Sequence, residues 1–320
     1  MSTKPLIIAL EEHYHDPEIR EKFEGLDKGL PPGLRPRLDD LGEARLKDMD
    51  AAGIDMQVLS HAAPSLQKMD AATAVSLARP ANDRLAEAVR AHPDRFAAFA
   101  ALPTPDPAAA AAELERTVTK LGFKGAMLHG LTAGTLFHDD KRFWPIYERA
   151  QALDVPIYIH PAYPHPAVID AYYKDYAREW PTFAIEGWGF AVETATQGLR
   201  MILSRVFDIY PGLKIILGHM GEGLPFYMWR INYSLSRFSK QADYIRAMFR
   251  EHFYVTTSGF FSDPALQCCI AELGIEHIMF SVDYPYMENP PGTAWIEAVP
   301  LDAEDKTKVM SGNAKRLLKI

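Results

Sequence analysis

Cysteine is nearly absent from this 320-residue chain: there are two, Cys268 and Cys269, and they are adjacent. Neighbouring cysteines would form a strained disulfide and cannot make a framework, so a small secreted scaffold is excluded. Free thiols are expected, as in a reducing cytoplasm. Positive charge is also in short supply. The 34 Lys and Arg face 42 Asp and Glu, for a formal net charge of −8, and no stretch is rich in Lys or Arg. Nucleic acid and anionic membrane surfaces are therefore poor partners. Long hydrophobic runs are missing too. The apolar stretch near the start runs from Pro5 to Leu10, where Glu11 and Glu12 close it. That is too short for a secretory h-region or a membrane span, and a soluble cytoplasmic chain is expected. There is no Gly-x-Gly-x-x-Gly after the first apolar run, which lowers the case for a dinucleotide-binding fold.

What remains is a chain that is 48% hydrophobic and 24% charged, a composition that builds a large core. Its length suits one (β/α)8 barrel with loop insertions, and no linker divides residues 1–320. Strand-like runs alternate with helical patterns throughout. The strands are expected at Leu6–His13, Met56–Ser60, Phe96–Ala100, Gly125–His129, Ile157–His160, Lys214–His219, Phe253–Thr257 and His277–Asp283. Most are nearly continuous apolar runs, as in strands buried on both faces of a parallel sheet. Helices are expected at Ala44–Ala52, Pro107–Leu121, Lys141–Leu153, Ala191–Tyr210 and Pro264–Leu273, several opening after Asp or Pro and stopping at Gly. Two connections, about 14–40 and 161–187, are long enough to cover a site.

The polar residues decide between a closed barrel and an open sheet. Glu11, His13, His129, His160, His219 and Asp283 all fall at or just past strand C-terminal ends, the face on which barrels assemble their sites. Only a closed barrel makes the first and last strands neighbours. At period two, Glu11, His13 and His15 point one way and Glu12 and Tyr14 the other. Each signal alone is weak, since a strand-end histidine is more often a satisfied structural residue than a ligand. Glu11, His13, His160 and Asp283 together, from strands one, one, five and eight, would converge on a divalent cation. Mixed histidine and carboxylate ligation suits Zn2+ or Mn2+. Glu222 follows His219 by three residues, close enough to orient its ring or exchange a proton with it.

The segments Ala9-Leu-Glu-Glu-His, Arg45-Leu-Lys-Asp-Met-Asp, Tyr158-Ile-His-Pro, Trp188-Gly-Phe-Ala-Val-Glu, Leu217-Gly-His-Met-Gly-Glu and Phe280-Ser-Val-Asp-Tyr-Pro, with Asn313-Ala-Lys-Arg-Leu-Leu near the end, carry a family resemblance over nearly the whole chain. It resembles the amidohydrolase-related decarboxylases of aromatic acids, the γ-resorcylate, 2,3-dihydroxybenzoate and 5-carboxyvanillate group. The resemblance implies metal ligation by Glu11, His13, His160 and Asp283, and an active-site histidine, His219, partnered by Glu222. It implies that Arg45 and Arg230 meet the substrate's anionic group, the second from a neighbouring subunit of a homodimer or homotetramer, and that Tyr286 lies near the substrate ring. Both Glu11-x-His13 and His13-x-His15 fit branches of the superfamily, and the preceding Ile-Ala-Leu aligns the first pair. His129 stands where these decarboxylases tend to carry Asn, and His61 and His165 are further departures that bear on the substrate.

The implied function is metal-dependent, non-oxidative decarboxylation of a small hydroxylated aromatic acid, with Asp283 as proton donor to carbon. A hydrolase or hydratase would use the same ligands, with Asp283 as the base for water. A barrel that only binds a ligand is the third reading, and the retained acid–base set speaks against it.

Overall fold

The computed structural model describes residues 5–238 and 241–320. Its strands run in chain order: β1 Ile8–Tyr14, β2 Met56–His61, β3 Phe96–Ala98, β4 Ala100–Ala101, β5 Ala126–His129, β6 Ile157–His160, β7 Ile215–Leu217, β8 Phe253–Thr256 and β9 Ile278–Met279. The ladders β1-β2-β3 and β4 to β9 are parallel throughout. β3 and β4 are one strand position broken at Phe99. The Phe99 N–H bonds back to the Leu59 carbonyl at 2.9 Å, while the Ala100 N–H crosses to Gly125 at 2.9 Å. At the other seam the His13 N–H meets the Tyr284 carbonyl at 2.6 Å, and the Glu11 N–H meets Ser281 Oγ at 2.7 Å. The fold is a (β/α)8 barrel, as expected.

The lower barrel is filled by Ile8, Leu10, Val58, Phe99, Met127 and Ile216. Ala314, Leu317 and Leu318, from helix Asn313–Leu318, pack against this cluster. Asn313 Nδ2 ties that helix to the Ile275 and Ile278 carbonyls at 2.8 and 2.7 Å. The N-terminal mouth is thereby plugged with apolar side chains, and polar chemistry is left to the C-terminal end.

Ile8 and Leu10 face the interior, so strict alternation would send Glu12 inward and Glu11 and His13 outward. The register prevents this. Ala9 pairs with Gln57 and Glu12 with Leu59, so β1 spends three steps where β2 spends two. This bulge flips the parity and turns Glu11 and His13 into the barrel. The expected common face of Glu11 and His13 is right, and a bulge achieves it.

Other boundaries are corrected. β7 ends at Leu217 rather than His219, because the backbone turns left-handed from His219 onward. β9 stops at Met279 rather than Asp283: the Val282 and Tyr284 N–H groups bond to the Glu12 side chain instead of a ladder partner. The long helix expected over Ala191–Tyr210 is Gly189–Leu203 followed by Val206–Ile209, broken where Arg205 takes φ 66°. Pro107–Leu121 stands as expected, its first turn capped by the Asp106 side chain on the Ala109 N–H. The two long connections hold short helical turns, Pro17–Arg20 and Leu34–Asp39 in one, Pro166–Val168 and Pro181–Ala184 in the other.

Candidate metal centre and active site

Glu11 and His13 on β1, His160 at the end of β6 and Asp283 past β9 offer one ligand atom each, all within 4.8 Å of one another. His160 Nε2 lies 3.0 Å from Glu11 Oε1, and His13 Nε2 lies 3.1 Å from Asp283 Oδ1. Glu11 Oε1, His13 Nε2 and Asp283 Oδ1 are buried without a hydrogen-bond partner. Native proteins rarely leave such atoms unpaired. Three of them aimed at one point are the donor set that a divalent cation completes.

The remaining atoms of these side chains are occupied. His160 Nδ1 faces the Pro161 carbonyl at 2.6 Å, which fixes its tautomer and frees Nε2. His13 Nδ1 faces Ser60 Oγ at 3.3 Å. Glu11 Oε2 accepts from the hydroxyls of Tyr158, Ser258 and Thr256. None of these supporting groups was expected from the sequence. Tyr158 had a signal, since it lies two residues before His160 on one strand and shares its face.

His219 stands beside the group, its Nε2 3.6 Å from Glu11 Oε1 and 3.9 Å from Asp283 Oδ2. Its Nδ1 meets Glu222 Oε1 at 2.7 Å. The backbone from His219 to Gly223 is left-handed throughout, with φ between 47° and 80°. For the three non-glycine residues this costs roughly 1–2 kcal/mol each, strain that persists only where the surroundings impose it. Here the Gly221 N–H bonds to Gly218 at 2.7 Å and Cys269 Sγ lies 3.4 Å from the Met220 carbonyl. Gly218 itself is required, because a Cβ there would stand 2.6 Å from Glu11 Oε2.

The electrostatics follow from this crowding. Burial alone would raise the Glu11 carboxyl, but the charges of His219, His160 and His13 outweigh it and hold Glu11 well below the ordinary carboxylate range. Asp283 is likewise raised by burial and lowered further by the facing imidazoles of His13 and His219, so its net shift is downward. Burial disfavours the His219 cation, yet Glu222 and Glu11 reverse this and lift it well above the usual imidazole value. Burial raises the Glu12 carboxyl, while the N–H groups of Val282 and Tyr284 and the Ser281 hydroxyl favour its ionised form and pull it back down.

A cavity of about 1550 Å³ opens above the group. His160, His219, Asp283 and Tyr286 border it, and both long connections contribute, through Pro31 and Tyr163 among others. The Tyr286 ring stands 5.6 Å from that of His13, edge to face. His129 is buried beside His160, ring centroids 4.8 Å apart, with Nδ1 unpartnered; it is not part of the four-residue group.

The expected role of Arg45 needs correction. Its side chain is fully buried, and its donors go to the Asp40, His13 and Arg37 carbonyls and to Gln57 Oε1. A guanidinium so spent braces β1 from outside the barrel and does not meet a substrate. The arginine that does border the cavity is Arg37, held by Glu288 at 2.5 and 2.9 Å. Arg230 lies exposed on helix Leu224–Leu235 and does not line its own chain's cavity. Cys268 and Cys269 are free thiols.

The amidohydrolase family model matches residues 13–320. The chain belongs to the amidohydrolase family. This amidohydrolase is 43% identical over 329 aligned positions to a γ-resorcylate decarboxylase from Polaromonas sp., with 98% of each chain covered. It superposes on a solved 2,6-dihydroxybenzoate decarboxylase complexed with 2,6-dihydroxybenzoate, with a TM-score of 0.89 at 39% identity, covering 99% and 100% of the two chains. A dihydroxybenzoic acid decarboxylase from Polaromonas sp., solved with manganese and the inhibitor 2-nitroresorcinol, also gives 0.89 at 40% identity, covering 99% and 97%. Among the described residues, no helix of this amidohydrolase is long and apolar enough to cross a membrane.

Proposed function

We propose that this chain is a metal-dependent, non-oxidative decarboxylase of hydroxylated benzoates, a carbon–carbon lyase that takes 2,6-dihydroxybenzoate or a close relative. The observation that carries the reading is the set of three unpartnered buried atoms, on Glu11, His13 and Asp283, gathered with His160 at the place where His160 and Asp283 border the cavity. These four residues hold one divalent ion, and the manganese of the solved relative supports Mn2+. When bound, the ion supplies a Lewis acid for the substrate's carboxylate and ortho hydroxyl oxygens.

The chain's own groups do the rest. Tyr286 packs beside the ring, and His129 lies at the base of the site next to His160. Asp283, ionised in the free enzyme, takes up a proton as substrate binds and passes it to the ring carbon that bears the carboxylate. The C–C bond then breaks, its electron pair restores aromaticity, and CO2 leaves, so the net change is acid anion plus proton to arene plus CO2. His219, held as a cation by Glu222, stabilises the negative charge that collects beside Asp283. The two long connections keep bulk water from the ring.

We read the working form as a homodimer or homotetramer of one-domain barrels. Helix Leu224–Leu235 exposes Phe226, Trp229 and Tyr233, at 74%, 61% and 49%. A patch of this kind on a soluble chain marks an interaction surface, and the exposed Arg230 within it supports a contribution to a neighbour's site. The decisive experiment follows ultraviolet absorbance and CO2 release with Mn2+-loaded protein on a panel of hydroxybenzoates. Decarboxylation is expected. Silence on the panel with hydrolysis of lactones or amides would overturn the reading.

A further inference from the structure

Between β1 and the segment from Ser281 to Tyr284 the barrel wall lacks a regular ladder. β9 is two residues long, and Glu12, fully buried, takes the place of a strand partner with its side chain. Its Oε1 accepts the Val282 N–H at 2.9 Å and the Ser281 hydroxyl at 3.0 Å. Its Oε2 accepts the Tyr284 N–H at 3.1 Å and Gln57 Nε2 at 3.4 Å. The peptide N–H groups on either side of Asp283 therefore land on one carboxylate, one on each oxygen. Gln57 is in turn held by Arg45 Nη1 at 3.2 Å, which gives the buried arginine its purpose. Asp283 has φ 73°, a conformation that a residue with a Cβ holds only under external constraint.

We infer that Glu12 is a positioning residue for Asp283: its carboxylate holds the N–H groups of the residues before and after Asp283, Val282 and Tyr284, and so sets where that side chain stands against His13 and His219. The stretch from Glu11 to His13 then does two jobs, its outer residues facing the ion and its middle one fixing a ligand that arrives from the far end of the chain. The two oxygens, backed by Gln57 and Arg45, form a rigid fork. Moving either peptide would shift Asp283 Oδ1 from its place 3.1 Å from His13 Nε2.

This inference rests on Asp283 being a ligand, so the test carries an arm for each claim. Metal-free wild type, His160→Ala and Glu12→Gln proteins are titrated with Mn2+, followed by the Mn2+ electron paramagnetic resonance signal. Melting curves and turnover of 2,6-dihydroxybenzoate are measured alongside. Gln keeps the volume but sets an NH2 against one of the two peptide N–H groups. Glu12→Gln is expected to weaken Mn2+ about 10–100-fold, as loss of a group supporting a ligand does, to alter the bound-ion line shape, and to lower kcat more than it raises KM. Mn2+ affinity, line shape and kcat within about twofold of wild type would overturn the clamp, even if the melting temperature fell. His160→Ala binding Mn2+ as wild type does would overturn the ligand set beneath it. Should Glu12→Gln not fold, Gln57→Leu, which removes the amide donor to Oε2 and touches no ligand, is expected to weaken Mn2+ severalfold; unchanged affinity in that variant would overturn the clamp.

Discussion

His219 Nδ1 and Glu222 Oε1 meet at 2.7 Å across a single left-handed turn, which brings two residues three apart in sequence face to face beside Asp283. An α-helical turn of the same residues would also place them as neighbours; here a left-handed backbone does so, and it requires glycine at 221, where a Cβ would stand 2.9 Å from Val255. The turn serves the pair and the close packing together.

Glu222→Gln tests the pairing. The amide keeps the shape and removes the charge that holds His219 as a cation, so kcat should fall by about 10²-fold, at the lower end for a positioned acid–base group. Bound Mn2+ should be unchanged, because Glu222 is not in the ligand group. Steady-state rates and metal content on one preparation check this; a rate within a few-fold of wild type would remove His219 from the chemistry.

His160→Ala tests the ligand set from the other side. Its Nε2 is 3.0 Å from Glu11 Oε1 and its tautomer is fixed by Pro161. Elemental analysis should find about one equivalent of metal in wild type, the occupancy of a single four-ligand site, and little in the variant. Metal-free protein with full turnover would count against the whole reading.

The sequence made the ligands legible because each sits at a strand end, where barrel topology alone says what converges. His160 and Asp283 needed nothing else. Glu11 and His13 were legible as a pair, although the bulge that turns them inward leaves no mark in the pattern. Glu12 was unreadable for the same reason: alternation sends it away from the ligands, and its partners are peptide N–H groups more than 260 residues on in sequence. Arg45 misled because a motif match says nothing of burial. The break at Arg205 was hidden because Leu199 to Val206 reads as a continuous helical pattern, while a left-handed φ at an arginine has no residue signature.

The aromatic face of helix Leu224–Leu235 predicts association. Trp229 and Tyr233 stack on each other in the open, 5.2 Å between ring centroids. Trp229→Asp should split the oligomer in light scattering and cut turnover, and Arg230→Ala should leave the oligomer intact while raising KM about tenfold, some 1.4 kcal/mol of binding. A monomeric wild type at assay concentration with full turnover would refute the association.

Acid should destabilise the fold partly through His138, which is far from the ligands in sequence and 1% exposed. Burial pulls its imidazole from 6.5 down to about 4. The unfolded chain then binds a proton that the native one refuses, so the stability tied to this group is complete above pH 6.5 and lost as pH falls toward 4. Its full loss is roughly 3 kcal/mol. His138→Gln, which retains a partner for Thr132 Oγ1, should flatten the pH dependence of urea unfolding between these limits without removing it, since burial also lowers His61 to about 4. An unaltered slope would show that His138 is not protonated on unfolding.

Asp283 decides between chemistry and architecture. As a ligand and proton donor it should tolerate Asp283→Asn in its fold, because the Glu12 clamp acts on the Val282 and Tyr284 N–H groups and not on the side chain. Much of the metal should remain, since an amide oxygen still coordinates weakly. Turnover should fall by roughly 10²–10⁴-fold, because an amide cannot deliver a proton to carbon. If Asp283 served only to shape the loop into Tyr284 and Pro285, Asn would substitute well, being at home in turns and in left-handed conformations. The rate would then hardly change while the melting temperature dropped. Measuring kcat, bound Mn2+ and melting on the same preparation separates the two, and a metal-loaded Asn variant with kcat within a few-fold of wild type would leave Asp283 a structural residue and the proton without a source in this site.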